Sequence, residues 1–169
     1  MGPGHLGIGF AAKSVTPEVP LWVLLVSSEA LDLLSFGFGA IGIEKFGVIG
    51  TDLRNGLEFI EPGSVPWSHG LFMSVVWSVV FALIAYYIYR DRRASGIIGL
   101  VVFSHWVLDF IVHPPDLPLL FNGSPLLGLG LWTSGPGLII SGLLELVLLI
   151  VGIEIYRGYR KRTVVRERE

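Results

Sequence analysis

His105, Asp109 and His113 follow one another at intervals of four, in a stretch that is otherwise apolar from Ala94 to Val112. Four residues take an α-helix slightly past one full turn, so the three side chains keep to one stripe. Glu29 and Asp32, three apart, share a helix face in the same way, and Ser141 and Glu145 repeat the four-residue step. The two remaining histidines are His5 and His69. Imidazole with carboxylate is a donor set for zinc, and also for iron or manganese. A site holding two or three such ions can generate hydroxide and clamp a phosphate oxygen. Without a metal, the same groups can satisfy one another as a structural or proton-relay network. Spacing alone leaves both readings open. Glu29 can equally be a protonated carboxylate bonded to a helix carbonyl.

The elements that must position these groups are apolar. Of 169 residues, 52% are hydrophobic and only 15% charged, with a mean hydropathy of +0.69. Soluble domains carry about 25% charged residues, so the composition argues for an integral membrane protein and against a soluble or disordered chain. The 22 glycines follow no repeat, which excludes a collagen-like fibre. With no cysteine, disulfides, thiolate zinc sites, iron–sulfur clusters and cysteine nucleophiles are excluded.

A membrane-spanning helix needs about 20 mostly apolar residues. Four stretches qualify: Pro20 to Ile43, Gly70 to Tyr89, Ala94 to Val112 and Gly137 to Tyr156. Gly2 to Ala12 is apolar but too short to cross alone. It lacks a basic n-region, so it reads as a half-helix returning at Ser14 to Pro20 rather than as a signal peptide. The expectation is an all-α membrane bundle of four transmembrane helices plus this half-helix. It forms one domain over 1–156, followed by a basic tail at 157–169. All Lys and Arg except Lys45 and Arg54 fall before the first span, between the second and third, or after the fourth. By the positive-inside rule both termini face the cytoplasm, and the connections Glu44 to Ser68 and His113 to Pro136 face outward. The chain is thus expected to be a multi-pass membrane protein, with its basic tail suited to an anionic leaflet.

Ionisable groups inside hydrocarbon cost several kcal/mol and must find partners. If Lys13 marks the inner surface, His5 lies about 12 Å deep, at 1.5 Å per residue. Asp32 and His105 fall near the same depth, so the histidines and intramembrane carboxylates can converge. The tryptophans read as packing and interface anchors. The run Gly128 to Trp132 lacks the strand, lysine and helix of a phosphate loop; the segment Pro114 to Pro136 that contains it caps the bundle.

The chain resembles the bacterial membrane-bound metal-dependent hydrolases of the YdjM-like inner-membrane group. The resemblance is carried by Gly4-His5-Leu6 and the residues to Lys13, by Glu29 to Leu34, and by Pro66-Trp67-Ser68-His69-Gly70-Leu71. It continues through Ser104 to Asp109 and His113 to Pro118, and ends with Gly128 to Trp132 and Glu145. It implies a place in the inner membrane and a metal site of His5, Asp32, His69, His105 and Asp109. More loosely, the order of ligands is similar to the zinc-dependent phospholipase C and P1-type nuclease families. Where those carry His-x-x-x-Glu, this chain has Ser141 to Glu145, which removes one ligand. Their N-terminal amine is also a ligand, a role that does not suit Met1.

Taken together, the first expectation is a membrane-embedded, metal-dependent hydrolase, a phosphoesterase acting on lipid or another outer-leaflet substrate. Zinc is held by His5, Asp32, His69, His105, Asp109 and His113, with Asp32 or Glu145 as general base. The alternative is a non-catalytic accessory subunit of a larger membrane complex, bound to partner subunits, in which the cluster is structural. A proton or ion pathway would require a polar file below Glu29, where only Ser27 and Ser28 occur. Membrane lipid is an expected partner and nucleic acid is not. A cavity beside the cluster favours the enzyme, and lipid-tight packing favours the subunit.

Overall fold

The computed structural model describes residues 2–52, 54–61 and 63–166. Its helices are α1 (Gly4–Ala12), α2 (Leu21–Ser28), α3 (Ala30–Ala40), α4 (Leu71–Tyr89), α5 (Arg92–Val112) and α6 (Gly135–Arg166). Two small antiparallel hairpins lie in the long connections, β1 (Val48–Asp52) with β2 (Gly56–Glu61) and β3 (Leu117–Pro118) with β4 (Leu126–Leu127). The protein is therefore mostly helical, as expected. The hairpins are not among the expectations; in the first, β2 opens on Gly56, whose φ of +95° suits glycine.

α4, α5 and α6 are each long and apolar enough to cross a membrane. The first expected span is broken instead. α2 and α3 meet at Glu29 with a bend of 59°. Neither proline nor glycine marks the break. Helix ends leave backbone carbonyls free, and here the freed Ser28 carbonyl takes a side-chain donor from α5. α5 starts at Arg92, two residues earlier than expected, because the Asp91 side chain caps it by accepting from Ala94 N at 2.8 Å. α6 runs on without a break through Arg157, Arg160 and Lys161 to Arg166, so the basic segment described as a tail is helical that far; Arg168 lies outside the described residues.

α5 is the axis of the bundle. One apolar cluster packs Ile98 and Val101 of α5 against Ala12, Val19 and Leu24. A second packs Val102 and Trp106 against Ala30, Leu31 and Leu117. α4 lies beside α5 across a two-residue turn in which Arg90 takes the left-handed conformation, φ +55°. The outward faces of α4 and α6 carry exposed Val79, Leu83, Ile88, Ile139, Leu143 and Val151.

α1 is held chiefly by α6, at a crossing where the two backbones touch. A Cβ on Gly7 would run into the Leu148 carbonyl, and one on Gly152 would run into the Gly7 carbonyl. Nothing lies within 4 Å of a Cβ at Gly142 on the same helix. Overpacking such a contact costs about 1–3 kcal/mol. Gly7→Leu and Gly152→Leu should each lower the unfolding temperature of the purified protein, while Gly142→Leu should leave it unchanged or raise it. Equal behaviour of all three would contradict the crossing.

Candidate metal centre

Asp109, fully enclosed, stands among all four histidines. Its Oδ1 is 3.5 Å from His5 Nε2 and 4.0 Å from His113 Nε2, and its Oδ2 is 3.4 Å from His69 Nε2 and 3.3 Å from His105 Nε2. Asp32 joins from α3, with Oδ1 3.2 Å from His69 Nε2 and 3.5 Å from His105 Nε2. Four elements thus meet: α1 supplies His5, α3 Asp32, the turn before α4 His69, and α5 His105 and Asp109. The helical stripe expected of α5 brings its residues to one place, with His113 closing the helix at the edge of the group.

The distances bear on what holds the group together. N–H···O hydrogen bonds cluster near 2.9–3.0 Å. Two ligands of one tetrahedral zinc, each about 2.0–2.1 Å from the ion, stand about 3.3–3.4 Å apart. The four contacts that link His69 and His105 to Asp32 and Asp109 run from 3.2 to 3.5 Å. They are long for hydrogen bonds and close to the spacing of two ligands on one ion. Two overlapping sets, His5 with His105 and Asp109, and Asp32 with His69 and His105, each bring three ligand atoms within 4.8 Å of one another. Among the described residues, buried His5 Nδ1, His5 Nε2 and His105 Nε2 find no hydrogen-bond partner. The rings of His5 and His105 stack at 3.8 Å, 5° from parallel. Two charged imidazoles at that separation repel, so the stack disfavours protonation of both rings at once. The residues fit a divalent cation.

Backbone and side-chain partners orient the ligands. His105 Nδ1 lies 2.8 Å from the Ser28 carbonyl, which can only accept. Nδ1 therefore carries the hydrogen and Nε2 turns its lone pair to the cluster. His69 is set by a relay. Its Nδ1 is 2.8 Å from Ser68 Oγ, which is in turn 3.0 and 2.8 Å from the two oxygens of Glu44. The Ser68 hydroxyl donates to the carboxylate, and its oxygen accepts from His69 Nδ1–H. Glu44 is itself buried, accepting from Trp67 N at 2.9 Å, Ser68 N at 2.8 Å and Ser35 Oγ at 3.0 Å. Trp106 Nε1 donates to the His69 carbonyl at 2.9 Å. Burial pulls the His69 pKa down, but the Asp109 and Asp32 carboxylates more than reverse this and leave it raised. A cation entering the site must displace that proton.

The other expected residues lie around this core. His113 Nδ1 faces Asp116 Oδ1 at 3.2 Å, and its ring lies 4.6 Å from that of Trp132. The segment after β4 folds against it. A Cβ at Gly128, φ +148°, would strike the Pro114 carbonyl, and Gly130 N donates to the His113 carbonyl at 2.7 Å. Glu145 accepts from Gly2 N at 2.9 Å, tying α6 to the start of the chain. Ser141 Oγ accepts from Trp132 Nε1 at 3.0 Å. Glu29 Oε1 is buried without a hydrogen-bond partner among the described residues.

Glu44, Ser68 and Trp106 are site residues that sequence reasoning missed. Trp106 had a usable signal, because a buried indole N–H needs an acceptor. Glu44 had none, since its partners are 9 to 24 residues away. No family model, curated protein or solved structure matches the chain.

Loss of an outer-shell partner typically costs 10–100-fold in metal affinity. If the cluster holds a divalent cation, Ser68→Ala and Glu44→Gln should each weaken its binding by about that factor in competition with a chelating indicator. Ser35→Ala, which leaves the relay to His69 intact, should cost less. Undiminished affinity in both relay variants would exclude the relay.

Proposed function

We propose that this chain is a multi-pass protein of the inner membrane whose buried histidine–aspartate cluster is a zinc centre, and that the centre hydrolyses a phosphoester at the outer leaflet. The four contacts of 3.2–3.5 Å among His69, His105, Asp32 and Asp109 carry the metal reading. The resemblance to YdjM-like membrane hydrolases is in keeping with it. For the membrane, the support is the exposed apolar faces of α4 and α6; surfaces of that kind need an apolar surrounding. The bent α2–α3 pair counts as the fourth crossing.

Asp32, His69 and His105 would hold one cation and leave its fourth position to water, with His5, Asp109 and His113 completing the cluster around it. Such a cation supplies Lewis acidity and lowers the pKa of water to about 7. The chain's own groups then divide the work. Asp32 is the more exposed of the two cluster acids and lines the neighbouring cavity, so it is placed to accept a proton from attacking water. Glu145, bonded to Gly2, positions the first helix. The stacked His5 and His105 rings wall off the side towards α1. A cavity of about 230 Å³ beside the cluster favours hydrolysis over the accessory-subunit reading.

Elemental analysis of protein purified without chelators should find zinc. His105→Ala and Asp109→Asn should lose it while still reaching the membrane. The wild-type unfolding temperature should fall when a chelator is added, because a ligand at 100 times its Kd stabilises by about 2.7 kcal/mol; the variants should not respond. A metal-free wild type would overturn the centre and the hydrolase together.

Topology is tested separately. Reporters fused at Glu61 and after Glu169, which lies outside the described residues, should report opposite sides of the membrane. The same side for both would refute four crossings with cytoplasmic termini.

A further inference from the structure

The cavity beside the cluster has two unlike walls. One carries Asp32, His69, Asp109 and His113. The other is apolar, made by Phe36 of α3, Phe46, Ile49 of β1 and Val65. The Phe36 and Phe46 rings lie 5.8 Å apart, and the two residues are 66% and 52% exposed on the outer surface. Phe46 can lie over α3 because Gly39 has no side chain; a Cβ there would meet the Phe46 ring. Beyond the two rings the exposed surface stays apolar through Ile41, Ile43 and Val48. The apolar wall thus runs from the cluster out to a face suited to hydrocarbon.

The charges of the lining are one-sided. Among the described residues, the cavity has Asp32, Asp109 and Asp116 and no lysine or arginine. One divalent cation would balance Asp32 and Asp109 and leave Asp116, which is only partly buried at the rim and faces His113. A net anionic ligand would find no side-chain cation there, whereas a ligand with a positive group beside its phosphate would find Asp116.

We propose that the cavity receives a lipid sideways from the bilayer, its chain along Phe36, Phe46 and Ile49 and its phosphate towards Asp32 and His69. Asp116 then selects a zwitterionic head group over a net anionic one. The inference rests on the metal and hydrolase reading for the phosphate and for what happens next, but not for the chain along the apolar wall.

Binding of three probes to the full chain in maltoside micelles tests this: dodecylphosphocholine, dodecyl phosphate and glycerophosphocholine. Dodecylphosphocholine should bind at least about tenfold more tightly than either of the others. Phe46→Ser and Gly39→Val, the latter pushing the ring aside, should each weaken dodecylphosphocholine without changing metal content. Asp116→Asn should remove the preference over dodecyl phosphate. Equal binding of glycerophosphocholine would overturn sideways access, and equal or tighter binding of dodecyl phosphate would overturn head-group selection. Wild-type metal content separates the two readings. Phe46-dependent binding by metal-free protein leaves the lipid seat standing and removes the hydrolase; metal-loaded protein that ignores dodecylphosphocholine removes the lipid seat alone.

Discussion

A single carboxylate, that of Asp109, organises this molecule. It is buried at the middle of the bundle and presents one oxygen to His5 and His113 and the other to His69 and His105. A charge so placed has no water to turn to, and leaving it unsatisfied would cost several kcal/mol. α1, α3, the turn before α4 and α5 each deliver a polar group to one small volume, and the apolar clusters of the bundle lie along the same helix, α5. The fold is arranged so that a group hydrocarbon would expel is surrounded instead.

The helix break at Glu29 belongs to the same economy of hydrogen bonds. In a continuous helix the Ser28 carbonyl would be occupied by the backbone. Interrupting the ladder releases it to fix the His105 tautomer, and the chain after the bend carries Asp32 to the opposite side of the cluster. Glu44 acts at longer range. Its two oxygens gather Ser35, the Trp67 and Ser68 amides and the Ser68 hydroxyl, so the connection before β1, α3 and the turn holding His69 are fastened at one point.

What could be read from the sequence was whatever follows helical period and hydropathy. The His105, Asp109 and His113 stripe is legible because four residues nearly close a turn, and α4, α5 and α6 because their apolar runs are long. The four-histidine gathering was legible through the cost of isolated polar groups in hydrocarbon. The α2–α3 bend was not, because no proline or glycine marks it and its compensation comes from residue 105. Glu44 was hidden for the opposite reason: it lies in a polar connection where an acid attracts no notice, and only tertiary structure brings Ser68 to it. Glu145, by contrast, stood out as a charge in an apolar helix, yet its partner is the Gly2 amide, which no spacing rule identifies.

The close crossing of Gly7 with Gly152 sets an order of events. Of the described helices α1 leaves the ribosome first, while α6, the helix that chiefly seats it, leaves last. Until α6 arrives, His5 is held only by the contacts of α1 with α2 and α5. Long-range contacts of this kind are slow to form, since the intervening chain must be closed first. The group of polar side chains is therefore complete only once α6 has joined α1, and its assembly waits on the last of the six helices.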